Sequence, residues 1–242
     1  MQGADWLSPV TLTYIADQLI RNSEAEARAA SDDFDWYIFP VTNPDGYEYS
    51  QDRIRTWVRN RRPTTDGNFG VDLTRNWNSH WGESGGSFDP AHDNFIGPGP
   101  FSESETRTLS RFVDSISDNL IGYISFRSFG QRLLLPFAHT TEHKENYDQM
   151  IVIGRRAMGS LAVRHGTLYQ VGTSGELGDG ATGNAADWVK ARYNTPMVAT
   201  YQLRDEGSSG YAINPNQVLP NCEEVFDSIL ALIREARFIN FF

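Results

Sequence analysis

The apolar positions of this chain change their spacing repeatedly, from the 3.6-residue stripe of a helix to short continuous runs, and each change marks an element. Leu12, Ile15, Ala16, Leu19 and Ile20 form one stripe behind Ser8-Pro9, which reads as an N-cap with proline at the first helical position, so a helix is expected to about Asn22. Residues 23–35 are polar and lead into Trp36-Tyr37-Ile38-Phe39-Pro40-Val41, which reads as a buried strand ended by the turn residues Asn43-Pro44-Asp45-Gly46. Gly82 to Pro100 is rich in Gly, Ser and Pro and is expected to be an irregular surface loop. Ser102 and Glu105 have capping-box spacing ahead of a helix with Leu109, Phe112, Val113 and Ile116 on its buried face.

Farther along, Leu120 to Phe126 reads as a strand and Arg132 to Pro136 as a short extended piece. Tyr147, Ile151, Met158, Leu161 and Ala162 stripe a long helix from about Lys144 to His165, which Gly166 stops. Residues 170–183 are Gly-rich, Asn184 to Tyr193 predicts a short helix, and Met197 to Leu203 is strand-like. A closing amphipathic helix over Pro220 to Phe238 carries Val225, Ile229, Leu232 and Ile233 on one side. Helices alternating with buried strands predict an α/β fold, a mixed twisted sheet flanked by helices on both faces.

Composition narrows the function classes. With 242 residues, 39% hydrophobic and 21% charged, the chain suits a single domain over residues 1–242. A net charge of −10 argues against nucleic acid or an anionic membrane as main partner. No apolar run reaches membrane-spanning length, and no signal peptide precedes Trp6. The single cysteine, Cys222, permits no internal disulfide and reads as a packing residue; on its own it fits a reducing compartment.

Residues 43–77 carry the densest chemistry. Asn43-Pro44-Asp45-Gly46-Tyr47-Glu48-Tyr49 is followed by Trp57, by Arg53, Arg55, Arg59, Arg61 and Arg62, and by Gly70-Val71-Asp72-Leu73-Thr74-Arg75-Asn76-Trp77. Asp5-Trp6-Leu7-Ser8-Pro9, Gln131 to Phe137, Leu203-Arg204-Asp205 and Gln217-Val218-Leu219-Pro220 complete the set, in order and over nearly the whole chain. In these motifs the sequence resembles the zinc metallocarboxypeptidases of the carboxypeptidase A/B type, which implies their phosphorylase/hydrolase-like architecture. The strands that open the family's fold, ahead of its HxxE motif, have no counterpart here. The family is largely secretory, which implies a secretory or extracellular location.

The resemblance also implies where catalytic groups belong, and this chain departs at each. The first two zinc ligands of the family, His and Glu in HxxE, fall on Gln2 and Asp5. The third, a His at a strand end, falls on Arg127, a fixed cation with donors only, which repels a metal ion. The family's general base, a Glu before Leu-Arg-Asp, falls on Gln202. The substrate-clamping Arg falls on Val58, with Arg59 beside it, and the carboxylate-gripping Asn-Arg pair becomes Thr74-Arg75. The mobile Tyr falls near Asp179, in a stretch that aligns poorly.

The expectation is therefore a pseudoenzyme of this family, with zinc and catalysis lost, acting as a structural scaffold or peptide-binding subunit. Arg127 is expected to occupy the metal position and pair with Asp5, with Gln2 and Gln202 as neutral hydrogen-bond partners. The expected partner is a protein or larger assembly, with a peptide C-terminus at Arg75 as a further possibility; Arg75 reads equally as a buried cation paired for structural reasons. The alternative is an active zinc metallocarboxypeptidase that trims C-terminal residues through atypical ligands, with Asp179 or the Ala186 region bearing on side-chain preference. A rival, His139-Thr140-Thr141-Glu142-His143, matches the HxxEH pattern of inverted zinc peptidases, but that chemistry needs a continuous helix and this segment reads as a surface loop. His80, His92 and His165 read as solvated surface histidines.

Overall fold

A computed structural model describes residues 1–64, 66–178 and 180–242. In chain order the elements are α1 (Leu7–Arg21), α2 (Ala25–Asp32), α3 (Pro44–Asp52), α4 (Ser104–Ile116), β1 (Gly122–Ser128), β2 (Arg132–Leu135), α5 (Tyr147–His165), β3 (Gln170–Thr173), α6 (Ala185–Tyr193), β4 (Met197–Leu203) and α7 (Val218–Phe238). The sheet runs β1-β4-β2-β3, with β1 parallel to β4, β2 antiparallel to β4, and β2 parallel to β3.

The period-two pattern of β4 divides the molecule into two cores. Met197, Ala199, Tyr201 and Leu203 face the larger core, where α1, α5 and α7 contribute Ile15, Ile153 and Ile229. Val198 faces the second core, with Trp77, Val113 of α4 and Trp188 of α6. Helices thus cover both faces, as the alternating pattern predicts. Residues paired across neighbouring strands share a face, so Ser125, Thr200, Arg127 and Gln202 follow Tyr123 and Val198 along the α6 side. That face turns from apolar to polar toward the carboxyl ends of the strands, where a ligand site belongs in an open α/β sheet.

Three expectations are corrected. Trp36 to Val41 is neither buried nor in a ladder: Tyr37, Phe39 and Val41 are 54%, 43% and 40% exposed, and among the described residues no strand pairs with it. Its apolar side chains hold it instead, with Trp36 and Ile38 on the larger core and the Trp36 indole donating to the Ala30 carbonyl at 2.8 Å. Asn43-Pro44-Asp45-Gly46 starts a helix rather than ending a strand. The Asn43 side chain accepts from the Gly46 N–H at 3.1 Å and Pro44 holds the first helical position, because residues that make a turn also cap a helix. Helix α4 begins at Ser104 with Glu103 at its N-cap, and the Ser102 hydroxyl donates to Glu103 Oε1 at 2.7 Å instead of capping.

Two elements escaped the sequence reading. Helix α2 lies in the polar run 23–35, where only Ala27 and Ala30 are buried, and β3 lies in the Gly-rich run 170–183. Both are short, and both take their form from neighbours. The long helices, the strands β1, β2 and β4 and the Gly82–Pro100 loop agree with expectation, and Gly166 ends α5 at φ 75°. Cys222 is buried in α7 against Thr11. No helix among the described residues is long and apolar enough to cross a membrane.

The larger core closes on an ion pair. Arg204 is 8% exposed and Glu224 fully buried; Arg204 Nε donates to Glu224 Oε1 at 2.8 Å, and Thr167 Oγ1 donates to Oε2 at 2.8 Å. Removing one partner strands the other charge. Arg204→Met is expected to lower unfolding stability by about 3–5 kcal/mol in denaturant titration, and adding Glu224→Leu to recover much of that loss.

Candidate functional site

The segment before α1 is held from two sides. Against α3, the Asn43 amide donates to the Met1 carbonyl at 2.8 Å, and the Ser50 hydroxyl donates to the Gly3 carbonyl at 2.8 Å. A Cβ on Gly3 would lie 2.3 Å from the Gly46 carbonyl oxygen, so both positions stay glycine for backbone to approach backbone. The Asn43 to Ser50 stretch is a clamp for this segment. Arg55 adds to it: its guanidinium lies 3.7 Å from the Trp6 ring centroid, Nη1 donates to the Ala4 carbonyl at 2.6 Å, and Nη2 donates to the Tyr211 carbonyl.

Against the sheet, Asp5 does the fastening. Its carboxylate is 3% exposed and accepts four hydrogen bonds: from the Ser8 N–H and hydroxyl at 3.2 and 2.7 Å, and from the Ser128 N–H and hydroxyl at 2.8 and 2.9 Å. Neutral donors therefore serve this buried charge. The expected Arg127–Asp5 ion pair is replaced by the two serines, because both oxygens of Asp5 already point at Ser8 and Ser128.

The fastened segment brings Gln2 to a small cleft at the carboxyl end of β1. The cleft, about 50 Å³, is lined by Gln2, Thr74, Arg75, Arg127, Asn184 and Thr200 among others, and no carboxylate or histidine lines it among the described residues. Arg127 and Gln202 are register partners on β1 and β4, and Gln202 is 3% exposed. A Cβ on Gly130, at φ 143°, would lie 2.6 Å from Gln202 Oε1, so the loop after β1 closes directly over that side chain. The Tyr211 hydroxyl donates to Gln2 Oε1 at 2.7 Å, and burial pushes its pKa up to about 12, which keeps it a donor.

On the opposite wall, Asp72 organises Thr74 and Arg75. Its carboxylate is fully buried and accepts from the Thr74 N–H at 2.9 Å, from the Thr74 hydroxyl at 2.6 Å, and from Arg75 Nη1. Arg75 Nε donates to the Gly85 carbonyl at 2.8 Å, and a Cβ on Gly183 would lie 2.6 Å from the Arg75 carbonyl oxygen. Arg75 is thus a paired cation at the edge of the cleft, 14% exposed at its side chain.

Gln2, Thr74, Arg75, Arg127 and Gln202 are therefore gathered at one end of β1, with Asp5 beneath them. Val58 contributes only its carbonyl, which accepts from the Gly3 N–H at 3.2 Å. Arg59 does not replace it, because Arg59 Nη1 donates to the Pro90 and His92 carbonyls at 2.8 and 3.3 Å, away from the cleft. Asp179 lies outside the described residues. Sequence reading missed Arg55, Tyr211, Ser8 and Ser128 as site residues; only the arginine-rich run 53–62 signalled the first.

These side chains do not form a zinc ligand set. Gln2 offers an amide oxygen already bonded to Tyr211, Asp5 has its oxygens filled by serines, and Arg127 is donor-only. Among the described residues no three His, Cys, Asp or Glu side chains converge on a point that would hold a metal. The histidines sit elsewhere. His139 stacks on His80 with ring centroids 3.6 Å apart, while His143 bonds Glu176 at 2.7 Å, so the HxxEH spacing leads to two separate contacts ahead of α5. His80, His92 and His165 contact Glu83, the Asn94 N–H and Glu223.

The comparisons agree with the fold. The family profile described as zinc carboxypeptidase matches residues 1–228, and the chain belongs to that family. It is 38% identical over 238 residues to zinc carboxypeptidase A 1 of Anopheles gambiae, covering 98% of this chain and 55% of that protein. It is 38% identical to a zinc carboxypeptidase of Simulium vittatum, covering 100% of this chain and 80% of that protein. Among solved structures, the carboxypeptidase A of Helicoverpa armigera superposes with a TM-score of 0.88 at 25% identity, over 97% of this chain and 59% of the other.

Two outcomes follow from the site's geometry. Asp5→Ala leaves the buried Ser8 and Ser128 donors without acceptors and is expected to cost about 2–4 kcal/mol in unfolding stability, read by urea titration. His139 is held below its ordinary pKa of 6.5 by burial first and by His80 second. Between the lowered folded value and 6.5 the unfolded chain binds a proton that the folded chain does not. This contribution to stability is complete above pH 6.5 and is lost as pH falls through the folded pKa. The unfolding midpoint should drop from pH 7 toward pH 5, and drop less in His139→Gln.

Proposed function

We propose that this chain is a non-catalytic carboxypeptidase-fold protein, a scaffold or peptide-binding subunit whose cleft holds the C-terminal carboxylate of a peptide in place of a metal ion. The observation that carries this reading is the cleft's lining. Two guanidinium groups, Arg75 and Arg127, line the cleft, its other described lining side chains are neutral, and Asp72 holds Arg75 from behind. Such a surface attracts an anion and repels a dication. Asp72 keeps the Arg75 guanidinium oriented, and Thr74 stands next to it.

The reading also rests on the chemistry lost. Gln202 has no proton affinity at neutral pH, so nothing at its position on β4 activates water, and Val58 supplies no cation. The whole protein's partner is proposed to be another polypeptide. A second reading, an active zinc carboxypeptidase working through atypical ligands, is favoured by one finding: relatives 38% identical are named zinc carboxypeptidases.

One set of measurements separates the two. Protein purified without affinity-tag histidines is analysed for metal and titrated with a peptide acid and its C-terminal amide by calorimetry. The binding reading expects no stoichiometric zinc, binding of the acid at least tenfold tighter than the amide, loss of that preference in Arg75→Gln, and an intact peptide afterwards. About one tightly bound zinc per chain together with C-terminal trimming establishes the hydrolase instead.

A further inference from the structure

Two loops stand beside the cleft, and hydrogen bonds fix their roots. Residues 79–85 are tied to residues 181–184: the Gly183 N–H donates to the Ser79 carbonyl at 2.8 Å, the Thr182 N–H to the Ser84 carbonyl at 3.1 Å, and the Ser84 N–H to Thr182 Oγ1 at 3.0 Å. Arg75 Nε reaches the same loop through the Gly85 carbonyl at 2.8 Å. The second loop, residues 137–144, is rooted where the Ala138 N–H donates to Asp187 Oδ2 at 2.9 Å and the Gly175 N–H donates to the Phe137 carbonyl at 3.0 Å. Arg75, Ala181 and Ser174, which lie at or next to these ties, line the cleft.

One contact joins the tips. The His139 ring lies on the His80 ring with centroids 3.6 Å apart and planes 17° from parallel. Among the described residues no hydrogen bond or ion pair links the two loops. His80 holds a backbone φ of 49°, in the left-handed region that few residues with a side chain adopt, and Phe137 packs against His139 at 5.3 Å. The far end of the second loop is anchored separately, because His143 bonds Glu176 at 2.7 Å and stacks on Tyr147 at 3.5 Å.

Charge around the stack is unbalanced. Glu83 bonds His80 Nδ1 at 2.8 Å and offsets a proton there, while Lys144 adds a positive charge beside His139. With both rings protonated, one carboxylate faces three cations, and two of those cations lie face to face. A proton on His143 has the opposite effect, since it turns the bond to Glu176 into an ion pair. Desolvation first and His80 second hold His139 below its ordinary pKa of 6.5, so the neutral stack is complete above pH 6.5 and is lost as pH falls through the folded value.

We propose that the His80–His139 stack is an acid-released latch on the rim of the cleft: neutral, it holds the loop behind Arg75 against the loop after β2, and with a proton on each ring it lets the two tips part. The roots stay in place, and the second loop stays on Glu176 through His143. The latch is a property of the two loops and does not rest on what the cleft binds.

The test uses the full chain with spin labels on Ser84→Cys and Thr141→Cys, both exposed positions, the native Cys222 being buried. The distance between labels is followed at low protein concentration from about pH 8 to about pH 4, with circular dichroism as the check that the chain stays folded. It should be constant above pH 6.5 and lengthen by several ångströms below it. His139→Phe keeps an aromatic ring that cannot take a proton and should hold the short distance throughout. His80→Asn, which tolerates the left-handed backbone but removes the ring, should give the long distance at every pH. His143→Gln should leave the transition in place. A distance independent of pH in the labelled parent, a lengthening that persists in His139→Phe, or a transition abolished by His143→Gln overturns the proposal.

Discussion

A buried carboxylate held by four hydrogen bonds from two serines sets the geometry at the heart of this molecule. Asp5 sits between the first turn of α1 and the last residue of β1, and Ser8 and Ser128 each give it a backbone and a hydroxyl donor. Four hydrogen bonds to an ionised group offset much of the cost of taking it out of water. The arrangement ties the start of the chain to the carboxyl end of the sheet. Gln2, Arg127 and Gln202 hold their relative places because Asp5 does, and the α3 clamp through Asn43 and Ser50 fixes the same segment from the other side.

The electrostatics of the cleft follow from that frame. At the cleft this chain has the Gln2 amide and the Arg127 guanidinium, with the Asp5 carboxylate bonded to two serines beneath. In the reading proposed above, the guanidinium of Arg127 is part of an anion site. Asn43 to Tyr49, Arg75-Asn76-Trp77 and Leu203-Arg204-Asp205 all still do structural work: capping α3, tying the Asp72 turn to the Gly183 loop, and closing the larger core.

The run 34–42 depends on packing in the same way. Strand, wall and floor are apolar, yet the run 34–42 lies across a groove from β1 instead of pairing with it. Apolar side chains hold that run in an extended form without a ladder. A strand-like sequence is a statement about side chains, and a ladder requires a partner at hydrogen-bonding distance.

Local pattern was enough for the long helices, for β1, β2 and β4, and for the two-faced α/β arrangement, because each rests on a periodicity carried by its own residues. The family was equally legible, since motif order runs through the whole chain. What each position does was not. Whether Asp5 met Arg127 or two serines depended on how the segment before α1 meets the end of β1, 123 residues away in the chain. Whether Arg59 turned to the cleft or to Pro90, and whether Trp36 to Val41 found a strand to pair with, were decided by neighbours distant in sequence. The sequence by itself determined the long helices, three of the strands and the family. Only the tertiary structure decided the pairing of each charge and the exposure of each edge, because both are set by long-range packing that no local window contains.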